Sequence, residues 1–210
     1  MSFDAILGQE KAVRLIQADL KRGRVAHAYL FSGPRGAGKR TAALALAKAL
    51  NCSSAPRDDF CDRCDTCRRI EHKNHPDVVR IVPDGASIKI DQIRRLQREF
   101  AYSAAEAEHR VVIIEQAETM TVEAANSMLK FLEEPVTPMV AILIAEQADA
   151  VLTTIRSRCR RIRFVPLLPE HLEEMLTGEG LDPAMARIVA HVAGVREEAL
   201  RLAEEGEFAR

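Results

Sequence analysis

HAYLFSGPRGAGKR, residues 27–40, decides how the rest of the chain is read. Its apolar run, Ala28 to Phe31, meets Gly33 and Pro34 and reads as a buried strand entering a loop. Gly33, Gly38 and Lys39 then fit G-x-x-x-x-G-K, with Gly36 between them. In that pattern the glycines let backbone N–H groups turn toward phosphate oxygens, and the lysine reaches the terminal phosphates. Thr41 to Leu50 (TAALALAKAL) is rich in Ala and Leu and reads as a helix. Its positive N-terminal end would add to the attraction. A glycine-rich turn with no phosphate role has the same composition, but the strand before and the helix after favour the phosphate loop.

The eighth position departs from the pattern. A hydroxyl there supplies a ligand to magnesium, whereas Arg40 is a guanidinium and cannot ligate a cation. Thr41 comes one residue late and, on a helix, points about 100° away. The second nucleotide element is expected at VVIIEQAE, Val111 to Glu118, an apolar strand ending in two polar residues. Asp-Glu would hold magnesium and polarise water, and here the pair is Glu115 and Gln116. Gln116 has no basic carboxylate to activate water. A plain polar strand end is the competing reading, but the changes at both elements together favour a site that has lost hydrolysis.

Working outward, Val13, Ile16 and Leu20 mark a helix over residues 9–22. Strands are expected at Asp77–Val82, Val111–Ile114, Val140–Ala145 and Ile162–Val165, and helices at Ile90–Phe100 and Ala124–Leu132, the second stopping before Pro135. Strands alternating with helices predict an α/β fold, a parallel sheet with helices on both faces. After Leu168 only helical patterns remain, broken near Gly178–Gly180 and at Gly194. The expected division is a P-loop domain at 1–166 and a small all-helical lid domain at 167–210.

Four of the five cysteines fall in one short stretch, as Cys52-x8-Cys61-x2-Cys64-x2-Cys67. Tetrahedral zinc takes four soft ligands, and C-x-x-C turns let sulfurs converge. Zinc is the expected cofactor, over reduced surface thiols, an iron–sulfur cluster or a redox pair. His72 and His75 lie nearby but are left out, because four sulfurs complete the shell. Without an open position the zinc would be structural, in an insertion of about 52–67.

The formal net charge is −1, so no global field draws the chain onto nucleic acid. The start, MSFDAILGQEKAVRLIQADLK, lacks the apolar core of a signal peptide, and no stretch nears the roughly 18 apolar residues of a span. A cytosolic, cytoplasmic location is expected.

Five stretches together carry a resemblance: Phe3–Gln9 (FDAILGQ), His27–Lys39, the cysteine cluster, Asn126–Pro135 (NSMLKFLEEP) and Thr154–Cys159 (TIRSRC). They resemble the AAA+ clamp-loader family of bacterial DNA polymerase III. The resemblance implies an AAA+ domain carrying a zinc module, then a helical lid, then a collar domain that joins subunits into a ring. This chain is accordingly expected to be the N-terminal portion of a longer protein, monomeric alone and hetero-oligomeric in the full complex. Its implied partners are gamma/tau and delta subunits, a sliding clamp and primed DNA. The family's SRC arginine reaches across an interface to the γ-phosphate of the next ATPase, a role that falls on Arg158. Spacing alone would read Arg158 as one more solvated charge among Arg156, Arg160, Arg161 and Arg163.

ATP-hydrolysing members of the family keep Thr after the loop lysine and Asp-Glu after the second strand. This chain departs at Arg40, Glu115 and Gln116, has Ala145 and Glu146 at the sensor-1 position, and has Arg196 and Glu197 around sensor 2. The pattern is similar to the subunit that does not drive hydrolysis; the ATP-hydrolysing gamma/tau type is the alternative. It argues against magnesium and leaves ATP unsupported as a ligand. Lys89, Arg94, Arg95 and Arg98 read as an exposed basic helix face before a DNA contact, and Lys130, Glu133 and Glu134 as helix-surface residues. Phe3, Ile6 and Gln9 either line an adenine pocket or cap the first helix.

Overall fold

The computed structural model describes residues 2–102, 106–133, 139–193 and 195–204. The elements are α1 (Glu10–Lys21), β1 (Ala28–Ser32), α2 (Lys39–Asn51), α3 (Asp65–Glu71), β2 (Val78–Ile81), α4 (Ile90–Tyr102), β3 (Arg110–Ile114), α5 (Val122–Glu133), β4 (Met139–Ala145), α6 (Thr153–Arg156), β5 (Arg160–Arg163), α7 (Pro169–Gly178), α8 (Pro183–Val192) and α9 (Arg196–Glu204). Pro135, Glu134 and Gly194 lie outside the described residues, as do the side chains of Arg196 and Glu197.

The five strands form one sheet in the order β2-β3-β4-β1-β5, every neighbouring pair parallel. β3 and β4 are buried at every residue because alternate side chains feed different cores. Tyr29, Phe31, Val111, Ile113, Ile142 and Ile144 pack with α1, α2 and the buried part of α3. Leu30, Val112, Ile114, Ala141 and Leu143 pack with α4 and α5 through Ile93, Leu96, Phe100, Ala125 and Met128. A third cluster, Leu172, Leu176, Ala186, Val189, Ala190 and Ala199, holds α7, α8 and α9 together. Among the described residues no helix is long and apolar enough to cross a membrane.

Two expectations needed correction. β5 runs over Arg160–Arg163, not Ile162–Val165. It is an edge strand paired only with β1, and only Ile162 of its residues is buried, so its arginines face out and mask the strand pattern. Beyond it Phe164 N–H still donates to Ser32 O at 2.7 Å, but Val165 turns to Gln9. The cysteine stretch also runs into a helix the pattern did not reveal, α3, whose Cys67 and Ile70 are buried in the first core.

At the edge of the sheet where the strands begin, Asp77 and Arg110 form an ion pair with each side chain about 1 % exposed. Arg110 Nε donates to Asp77 Oδ1 at 3.0 Å, and Arg110 also reaches Phe100 O. Asp77 Oδ2 accepts from the backbone N–H groups of Glu106 and Ala107 at 2.7 and 2.9 Å. Removing one partner strands a charge away from water. Asp77→Ala is therefore expected to lower the unfolding free energy by about 3–5 kcal/mol in urea denaturation. A loss below about 1 kcal/mol would show that this pair is not a buried charge couple.

Candidate functional site

The phosphate loop leaves β1 at Ser32 and bends through three glycines with positive φ: Gly33 at 154°, Gly36 at 71° and Gly38 at 78°. Two of them are needed for space as well. A Cβ at Gly33 would sit 2.4 Å from Phe164 O, and one at Gly36 would sit 2.6 Å from Val195 Cγ1. The loop is thus pressed between the end of β5 and the start of the last helix. Lys39, the first residue of α2, is buried, and its Nζ donates to Gly33 O and Pro34 O at 2.6 Å each. Burial lowers its pKa from the ordinary lysine value, against the opposing pull of the Glu146 and Glu118 carboxylates.

Beside it the departures from the pattern come together. Arg40 Nε lies 3.3 Å from Glu115 Oε1, and Arg80 Nε of β2 lies against the same oxygen. Neither contact is an aligned hydrogen bond to that buried oxygen, so the group is held by charge. Two guanidiniums flank the one carboxylate that remains, and both repel a divalent cation. Thr41 is exposed. Gln116 is exposed too and sits in the left-handed region, φ 51° and ψ 50°, where its carbonyl accepts from Thr119 N–H and Oγ1–H at 2.8 Å each.

Pattern reading missed Glu118. Its Oε1 accepts from Glu146 N–H at 3.1 Å, its Oε2 is buried without a hydrogen-bond partner among the described residues, and Glu146 pairs with Arg35. The residue stood inside VVIIEQAE, but only the fold brings it toward Lys39. Gln9 does not cap α1 with its side chain. Its amide instead donates to Val165 O at 2.8 Å and accepts from Val165 N–H at 3.0 Å. Phe3 is fully buried edge-on against Phe60, with ring centroids 5.5 Å apart. Ile6 alone of the three residues considered for an adenine pocket adjoins the loop, 3.5 Å from a Cβ at Gly38.

The four sulfurs of Cys52, Cys61, Cys64 and Cys67 lie within 4.8 Å of one another, close enough to hold one metal ion. The turn is built for thiolate. Cys64 N–H donates to Cys61 Sγ at 3.3 Å, and Cys67 N–H to Cys64 Sγ at 3.4 Å. Backbone N–H groups of Arg63 and Cys64 bring the Cys61 thiol down to about 6. Burial pushes the Cys67 thiol up, and a cation bound by its sulfur would displace that proton to solvent. His72 is exposed, and His75 Nδ1 accepts from Asp77 N–H at 3.2 Å, which leaves both outside the sulfur set. Lys48 of α2, its side chain 5 % exposed, pairs with Asp62 and with Glu71 at 2.6 Å. It also lies 5.2 Å from the centre of the Phe60 ring.

Arg158 lies on the other edge of the sheet. Arg160 is in register with Tyr29 at the start of β1, whereas Arg163 matches Ser32 beside the phosphate loop. Arg158, before the strand, is therefore separated from Lys39 by at least the length of β5, about 13 Å at 3.3 Å per residue. It cannot serve its own loop. Its side chain is 42 % exposed and pairs with Glu133. On α4, Arg94, Arg95 and Arg98 are exposed opposite buried Ile93, Leu96 and Phe100, and Lys89 pairs with Asp84 at 3.0 Å.

A family model described as DNA polymerase III, delta subunit, matches residues 8–168. DNA polymerase III subunit delta′ of Bacillus subtilis is 43 % identical over 201 residues, covering 96 % of this chain and 61 % of that protein. Subunit tau of the same organism is 37 % identical over 163 residues, covering 77 % of this chain and 29 % of its own. The crystal structure of a DNA polymerase III gamma subunit-related protein from Thermotoga maritima superposes with a TM-score of 0.54 at 24 % identity, over 94 % of this chain and 59 % of that one. The chain thus spans less than two thirds of each relative's length. With a match that takes in the phosphate loop, the cysteine cluster and Arg158, this chain belongs to the DNA polymerase III delta subunit family of AAA+ clamp-loader proteins.

Proposed function

We propose that this chain is the nucleotide-binding-fold portion of a delta′-type clamp-loader subunit, one that gives an arginine to a neighbouring ATPase and does not itself hydrolyse ATP. In this reading residues 1–166 are the AAA+ domain and 167–210 the lid, with gamma/tau and delta subunits as partners and the loading of a sliding clamp onto primed DNA as the task. The observation that carries it is the contact between Arg40 and Glu115. The two positions that would share a cation in a hydrolysing site are joined to each other instead. Arg80 adds a second positive charge, and Gln116 offers no base. The position of Arg158 supports the other half. An arginine on the sheet edge away from its own loop can meet a phosphate only if another molecule presents it, and a guanidinium there steadies charge spreading over the transferring phosphoryl group.

The four cysteines are assigned a structural zinc ion. All-sulfur donors suit zinc, the set leaves no open coordination position, and the N–H···S bonds of the turn favour thiolates. The ion would supply the cross-link of the module. The chain itself contributes the anchorage, through Lys48, Phe60 and Phe3.

Three measurements test these roles. The purified chain is expected to show no magnesium-dependent ATP turnover, and Gln116→Glu should stay silent because Arg40 and Arg80 remain. Sustained turnover would move the assignment to the gamma/tau type. Arg158→Ala in the full-length subunit should lower the ATPase rate of the assembled complex by roughly tenfold or more while gel filtration shows assembly intact. An unchanged rate removes the arginine role. Elemental analysis should find about one zinc per chain, and Cys64→Ser should lose it and open residues 52–67 to protease. A parent protein free of zinc refutes the metal assignment.

A further inference from the structure

We propose that Glu133 is a positioning residue for Arg158, holding its guanidinium ready for an anion from outside the chain. The proposal rests on the reading of Arg158 given above. Arg158 stands between α6 and β5, and its Nε donates to Glu133 Oε1 at 2.8 Å. Its Nη2 lies 2.8 Å from that same oxygen, and its Nη1 donates to Thr154 O at 3.0 Å. A guanidinium has five N–H bonds in one plane, and these contacts engage one on each nitrogen. Among the described residues at least one N–H on each terminal nitrogen is left over. The inner edge is tied to the chain, while the terminal nitrogens keep donors for a phosphoryl oxygen.

Stability does not account for Glu133. The pair is exposed at both ends, 42 % for Arg158 and 51 % for Glu133, and such pairs add little to folding. What the carboxylate does supply is direction. A free surface arginine samples many rotamers, and ordering it before the encounter removes that cost from the interface. Orientation of this kind acts on the reaction rate rather than on nucleotide affinity in the neighbouring subunit.

The test uses the clamp-loader complex reassembled from the full-length subunit and its ATPase partners. Glu133→Ala is expected to lower kcat roughly tenfold with KM for ATP unchanged. Glu133→Gln, which keeps an accepting oxygen, should recover most of the loss. The double variant Glu133→Ala/Arg158→Ala should be no slower than Arg158→Ala alone, because both act through one guanidinium. If Glu133→Ala does not assemble, Glu133→Met, which keeps the stem and removes the oxygen, decides in its place. An unchanged or raised kcat without the carboxylate, beside an impaired Arg158→Ala, overturns the positioning role, as does a loss in the double variant that multiplies. If Arg158→Ala itself leaves kcat unchanged, the arginine reading falls first and this one with it.

Discussion

A parallel sheet has a direction, and the arrangement of this chain follows from it. β1 is flanked by β4 and β5 and covered on both faces, so its C-terminal end can only deliver the phosphate loop to one edge of the sheet. β5 runs alongside in the same sense, so whatever precedes it is carried to the opposite edge. Apolar strand residues feeding two cores enforce this more firmly than any single contact. The fold thereby puts the glycine loop and Arg158 at opposite ends of the strands.

Within the loop region, charge takes the place of coordination chemistry. Lys39, Arg40 and Arg80 face Glu115, Glu118 and Glu146 around a short stretch of backbone. A hydrolysing site needs oxygens free to hold a divalent ion and a base free to take a proton. Here Glu115 is engaged by guanidiniums, Glu118 accepts a backbone N–H, and Lys39 is turned onto its own loop carbonyls. The glycines preserve the shape of the cradle while the charged side chains around it pair with one another.

What the sequence made legible was whatever depends on local pattern. The buried strands read as apolar runs, the loop as glycines at fixed offsets, and the four-cysteine cluster as Cys52 with two overlapping C-x-x-C turns. β5 was misplaced because an edge strand with one inward residue carries almost no hydrophobic signal. α3 was overlooked because its first turn belongs to the cysteine cluster and it is only seven residues long. The contacts that give the site its character join residues far apart in the chain: Arg40 with Glu115, Arg158 with Glu133, Gln9 with Val165. No spacing rule reaches across such separations; they exist only once the strand order is known.

Lys48 gives the cysteine module a mooring that water cannot loosen. Its ammonium is roofed by the Phe60 ring and held by Asp62, between Cys61 and Cys64, and by Glu71, four residues after Cys67, while its stem belongs to the helix that begins at the phosphate loop. To peel the module away would break both ion pairs of Lys48 and uncover the Phe60 ring, which is buried edge-on against Phe3. The module is thereby tied at Lys48 to the same helix whose first residue is the loop lysine, Lys39.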